Sequence, residues 1–152
     1  MKNIRQLSIA LLIITAAIAL YGGIMLVYDS TGQKLGLSLE DIKGTFLDYG
    51  IPGWILIIAI GGGSIVTTII SIQHKKVYPY FIIANGILLL LWILIQIIIV
   101  QETQLFQLVF GLIGLAFILL GNQLRLYVIH QGEHHPAPPH QFHSKSKRHK
   151  RH

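Results

Sequence analysis

Residues 28–54 read YDSTGQKLGLSLEDIKGTFLDYGIPGW, and their position between two long apolar runs decides the fold. The stretch carries four of the chain's six acidic residues: Asp29, Glu40, Asp41 and Asp48. It is the only long polar interruption ahead of the C-terminal tail. Before it, residues 7–27 hold no charge and would rise about 31 Å as a helix, one hydrocarbon thickness. After it come three more apolar runs, at 51–72, 77–100 and 105–129. Each exceeds the roughly 18 apolar residues that mark a transmembrane helix. The pattern predicts an all-α, integral membrane four-helix bundle, with residues 28–54 as its one sizeable loop.

Composition agrees. Of 152 residues, 53% are hydrophobic and only 12% charged, where a soluble globule carries about 25% charge. Mean hydropathy is +0.62. The formal charge of +6 does not indicate a nucleic-acid partner, because the cations sit beside apolar runs and in the tail, not on one face of a folded domain. With no cysteine, disulfides, thiolate metal sites and cysteine nucleophiles are excluded.

Ala17-Ile18-Ala19 has the form of a signal-peptidase site. A signal h-region is about 7–15 residues long, and this run continues past Tyr21, Gly22, Gly23 and Met25, which favours an uncleaved helix. Pro52 suits a first helical turn, where its missing N–H costs little, and Trp54 stands where an interfacial anchor would. Four spans put the N-terminus, the turn at 73–76 and the tail on one side. That side holds ten of the twelve Lys and Arg residues, leaving only Lys34 and Lys43 opposite. The positive-inside rule therefore places both termini in the cytoplasm. Residues 1–130 are then the spanning domain and 131–152 a disordered cytoplasmic tail rich in His, Lys and Arg.

Within lipid, helices associate through small residues and interhelical hydrogen bonds. At 100° per residue, Tyr78, Asn85, Trp92 and Gln96 share one stripe of the third helix. Gln107, Gly111, Gly114, Ile118, Gly121 and Arg125 share one on the fourth, with Asn122 at its edge. The second aligns Gly61, Ser64, Thr68 and Ser71, and the first aligns Ser8, Thr15, Ala19 and Gly22. The plain reading is four packing seams. The functional one is a small polar cavity around an intramembrane face of Asn85, Gln96, Gln107 and Asn122. No ionisable residue lies in the middle of any span, which disfavours proton relays and ion-coupled pumps. Gly61-Gly62-Gly63 reads as a close-packing notch or mild kink.

The loop acids, Asp29, Glu40, Asp41 and Asp48, form a candidate interaction surface, and structural roles explain them. Asp29-Ser30-Thr31-Gly32 has the composition of a turn. Ser38-Leu39-Glu40-Asp41 reads as a capped start of a short extracytoplasmic loop helix. Ile42, Phe46, Leu47 and Ile51 would let that segment lie at the membrane surface. Nothing here has calcium-loop spacing.

In the tail, His130-Gln131-Gly132-Glu133-His134 matches H-x-x-E-H, a zinc-protease pattern. Gly132 weakens the helix that would align both histidines, and Pro136 follows at once. Weak divalent transition-metal binding by His130, His134, His135, His140 and His143 fits the composition better. The final Lys- and Arg-rich segment suits anionic headgroups, at about 1 kcal/mol per cation near the surface. A solubility tail explains the same residues. No Walker loop, dinucleotide fingerprint or G-x-S-x-G occurs.

Gly22-Gly23, Leu26, Asp29, Thr31-Gly32, Leu35-Gly36-Leu37, Phe46, Asp48-Tyr49 and Ile51-Pro52-Gly53 together read GG-x-x-L, D-x-(S/T)-G-x-x-LGL, F-x-DY-x-IPG. This pattern resembles that of a family of small, uncharacterised bacterial multi-pass membrane proteins and covers about a quarter of the chain. The resemblance implies a four-span bacterial membrane protein, expected in the inner membrane, and brings no activity or cofactor with it. The expected function is non-enzymatic: a scaffold or subunit of a membrane assembly, its partners being membrane lipids, other membrane proteins or further copies of itself. Two alternatives stand beside it. One is a small transporter or ligand-binding protein with a polar cavity; the other is a metal-handling accessory that uses the tail.

Overall fold

The computed structural model describes residues 2–38, 48–100 and 105–133, without the side chains at 99–100 and 132–133. Four long helices account for nearly all of them: α1 (Lys2–Tyr28), α2 (Gly50–Ile72), α3 (Tyr78–Val100) and α4 (Leu105–Glu133). All four are long and apolar enough to cross a membrane. The protein is an all-α, multi-pass membrane bundle.

Neighbours in sequence are neighbours in space. α1 packs along α2 and α3 along α4, and the contacts of α2 with α3 and α1 with α4 close the ring. Each helix turns a heptad-like stripe inward: Ser8, Leu12, Thr15, Ala19 and Leu26 on α1; Tyr78, Ile82, Asn85, Leu89 and Trp92 on α3. On α4 the stripe is Gln107, Gly114, Phe117, Gly121 and Leu124. Alternating steps of three and four residues keep such a stripe on one face of a helix. The opposite faces expose large Leu and Ile side chains, as lipid-facing surfaces do.

Small residues let the backbones meet. A Cβ on Gly23 would lie 2.8 Å from the Gly53 carbonyl oxygen, and one on Gly86 would lie 2.7 Å from that of Gly114. Each hairpin is thus closed by a pair of glycines. The hydroxyls of α2 take care of themselves: Thr67, Thr68 and Ser71 donate to the carbonyls of Gly63, Ser64 and Thr67 at 2.8, 2.8 and 2.7 Å. So satisfied, they pack as small side chains.

Several boundaries differ from the sequence reading. α1 begins at Lys2, five residues before the apolar run, because Arg5 still lies on the bundle and keeps only part of its surface exposed. α4 continues through Gly132 to Glu133; a single glycine costs a helix about 1 kcal/mol, which the preceding turns absorb. Around the glycine triplet, α2 widens into i+5 turns over Leu56–Gly62 before resuming its normal pitch. Gly61 is also a notch, since a Cβ there would lie 2.8 Å from Leu20 Cδ2. In the α2–α3 turn, His74 takes a left-handed φ of 55°, a conformation in which His is enriched among non-glycine residues.

Candidate functional site

The loop is organised by its first acid. Asp29 accepts a hydrogen bond from the Thr31 hydroxyl at 2.6 Å and another from the Lys34 backbone N–H at 3.0 Å. Those two bonds, the hydroxyl's first, hold its carboxyl below the ordinary value of 3.8. Lys34 Nζ in turn lies 4.4 Å from the centre of the Tyr28 ring, a cation–π contact. Gly32 has φ 75°, and a Cβ on it would sit 2.9 Å from both Leu37 Cβ and the Tyr49 ring. Only glycine fits there. The carbonyl of Gly32 then accepts from Leu35 and Leu37, turning both leucines back over the bundle.

Tyr49 fastens the other end. Its backbone N–H donates to the Ser30 carbonyl at 2.9 Å, and its hydroxyl donates to the Ser38 carbonyl at 2.9 Å. Asp48 accepts from the Gly50 N–H at 2.9 Å, an Asx turn that leads into α2. The described motif residues therefore build a folded cover on the end of the bundle where α1 runs into α2.

Beneath that cover lies a partly enclosed cavity of about 290 Å³. Leu35 and Leu37 of the loop lie over it, and α1 supplies Ala19, Gly22 and Leu26 with Tyr21 at the rim. Leu56 and Ile60 come from the widened turns of α2. α3 contributes Leu89, Trp92, Ile93 and Gln96, and α4 contributes Phe106 and Phe110. Among the described residues, the lining contains no Asp, Glu, Lys, Arg or His. Among the described lining residues, those whose side chains carry a polar atom are Trp92, Gln96 and Tyr21. Trp92 is only 6% exposed, and its Nε1–H has no hydrogen-bond partner among the described residues. Leaving such a buried donor unpaired costs about 1–3 kcal/mol.

No known protein family matches the chain, and no curated protein or solved structure is similar to it. The site is therefore read from its own chemistry. It can shelter an apolar molecule.

The four residues assigned to an intramembrane polar face are not gathered into one site. Asn85 is buried and donates to the Ser64 hydroxyl at 3.1 Å, tying α3 to α2. Gln96 alone reaches the covered cavity. Gln107 is 3% exposed and lines a separate groove between α3 and α4, and Asn122 faces outward. The cavity that does form is apolar, because Leu, Ile and Phe rather than amides supply most of its wall. Phe106, Phe110 and the loop leucines carry no sequence signal that separates them from the other apolar residues. Trp92, two turns beyond Asn85 on the same stripe, does.

Of the loop acids, Asp29 and Asp48 have the structural roles given above, while Glu40 and Asp41 lie outside the described residues, as does the expected loop helix. Of the candidate metal ligands, His130 is on exposed α4 surface with Nδ1 2.7 Å from the Leu126 carbonyl. His134, His135, His140 and His143 lie outside the described residues. Among the described residues no group of three potential metal ligands converges. At the tail-side end of the bundle, Arg5 and Arg125 each bury an Nε without a hydrogen-bond partner among the described residues.

Proposed function

We propose that this protein is a non-enzymatic membrane protein that holds a neutral, lipophilic small molecule between its four helices, beneath the loop. One observation supports the reading above all: a cavity walled by all four helices and the loop, with no charged residue among the described residues of its lining. Ligand pockets are characteristically apolar with a few placed polar groups, and this one has that composition. The widened turns of α2 support it further, since such turns concentrate at functional sites. Lys and Arg placement supports both termini in the cytoplasm and the covered cavity on the opposite side of the membrane, and the resemblance of the loop motif supports a bacterial inner membrane.

Native mass spectrometry of the protein released from nanodiscs tests this. Wild type is expected to retain a neutral adduct, and Leu56→Trp, which places an added ring in the cavity, is expected to lose it while keeping its helical content. A wild-type protein that carries no adduct under conditions preserving bound lipid defeats the reading.

A role as subunit or scaffold of a membrane assembly is the second reading. Gly111 favours it: a Cβ there would meet nothing within 4 Å, so a small, open position faces outward beside an apolar groove. Helix pairs in membranes meet at such positions. Crosslinking in native membranes would show a reproducible partner, or a second copy, at that face.

A further inference from the structure

We propose that Arg5 and Arg125, at the tail-side end of the bundle, bind the phosphate groups of anionic phospholipids in the leaflet that meets that end. These two residues differ from the other cations there. Lys2, Lys75 and Lys76 are exposed, whereas Arg5 and Arg125 keep only part of their surface exposed. In each arginine the Nε is enclosed by protein, while the Nη atoms are not. Among the described residues neither side chain has a hydrogen-bond or ion-pair partner. Each therefore turns a charged, planar fork of donors outward with no acceptor in the bundle.

The acidic side chains of the chain stand elsewhere. Asp29, Glu40, Asp41 and Asp48 fall between α1 and α2, and Glu102 between α3 and α4, the two connections at the opposite end. Glu133 follows Arg125 by eight residues, about 12 Å along α4, whereas pairs on a helix meet at a spacing of three or four. A partly desolvated charge without a counter-charge is unfavourable. The missing anion comes from outside the chain.

Place in the bundle fixes what kind of anion it is. Both arginines stand by the start of α3. Arg5 is close enough to the hydroxyl of Tyr78, the first residue of α3, to act on it electrostatically. Arg125 is one turn beyond Gly121, whose Cβ would lie 3.0 Å from the Pro79 carbonyl oxygen. From Leu105, at the loop-side end of α4, to Arg125 the helix rises about 30 Å, one hydrocarbon thickness. From Tyr28 back to Arg5 the rise along α1 is about 35 Å. Both guanidiniums thus lie at the tail-side edge of the hydrocarbon core, the level of lipid phosphates. Arginine holds a phosphate through parallel N–H···O bonds, and basic pockets between membrane helices take anionic headgroups in this way. A free phosphate ion shares that chemistry, but it must give up water to reach a level that a lipid phosphate already occupies.

Native mass spectrometry of the full chain, released from nanodiscs of equal parts phosphatidylglycerol and phosphatidylcholine, tests the site. Phosphatidylcholine carries the same phosphate with a cation attached. Wild type is expected to retain phosphatidylglycerol in clear excess. Arg5→Gln and Arg125→Gln are each expected to weaken that retention about tenfold, the equivalent of one hydrogen bond to a charged group. Lys75→Gln and Lys76→Gln remove the same charge from exposed positions and are expected to weaken it no more than about twofold. Equilibration with excess inorganic phosphate is expected to leave the adducts in place.

Equal retention of the two lipids by wild type overturns the proposal. Equal losses from the lysine and arginine variants do so too, because they would show attraction to overall charge and not to a site. Displacement of the adducts by inorganic phosphate would assign the arginines to a free anion and overturn the lipid. Circular dichroism checks that each variant keeps its helical content. Where a glutamine variant does not, Arg5→Lys or Arg125→Lys replaces it, keeping the charge and losing the fork. Those variants are expected to retain less phosphatidylglycerol than wild type, and full retention overturns the proposal.

Discussion

Gly23 and Gly53 meet backbone to backbone. A Cβ on either would stand within 3.0 Å of the other's carbonyl oxygen. This contact sets the crossing of α1 and α2 just below the loop. It also positions Leu26 and the widened turns of α2 around the cavity.

Substitution there should be costly. Gly23→Ala puts a methyl against Gly53 O and Ile57 N, at 2.8 and 3.1 Å, and the backbone cannot move aside without separating the helices. We expect a loss of about 1–3 kcal/mol, the usual range for an overpacked core, measured as a lower midpoint of denaturant unfolding in mixed micelles. Gly111→Ala is the matched control. With nothing within 4 Å of its Cβ, it should leave the midpoint unchanged or raise it slightly through better helix propensity.

Asn85 and Ser64 make a buried link between α3 and α2, with Asn85 Nδ2 donating to Ser64 Oγ at 3.1 Å. Such bonds average about 0.6 kcal/mol in membrane proteins and reach about 1.7. A double-mutant cycle with Asn85→Ala and Ser64→Ala should return a coupling energy in that range. A value of zero would show that the bond carries no stability.

Asp29 gives the loop a pH dependence of defined sign. Its folded carboxyl is held below the ordinary value of 3.8 by the Thr31 hydroxyl, then by the Lys34 backbone N–H. A depressed carboxyl contributes stability above its unfolded value and loses it as pH falls through the folded one. The loop should therefore keep its turn at neutral pH and open only in strong acid. The Lys34 amide resonance should titrate with a midpoint below 3.8; Thr31→Ala should raise that midpoint, and Asp29→Asn should abolish the titration.

Tyr49→Phe keeps the ring beside Gly32 and removes the hydroxyl's bond to the Ser38 carbonyl. The expected cost is about 0.5–1.5 kcal/mol, confined to the loop and visible as faster proteolysis between the first two helices. Gly32→Ala should be worse than Tyr49→Phe, because it strains a φ of 75° and also collides with that ring.

Much of the architecture was written in the order of residues. Four apolar runs of spanning length, broken by one acidic loop, determined an all-α membrane bundle, because lipid permits a spanning chain few structures other than helices. Ser64, Thr68 and Ser71, spaced on one face of α2, determined which side of it would be buried. Asp29, Thr31 and Gly32 carried their turn locally, through side chains that bond to their own backbone.

The cavity belongs to the tertiary structure alone. Asn85 and Gln96 lie on one stripe, yet the first is taken up by Ser64 and only the second reaches the space beneath the loop. Leu35, Leu56 and Phe106 become wall residues through the turn at Gly32, the widened pitch of α2 and the α3–α4 pairing. Apolar side chains are interchangeable in a hydropathy pattern. A space forms among them only where helix crossings and the folded loop fix which ones face inward and how far apart they stand.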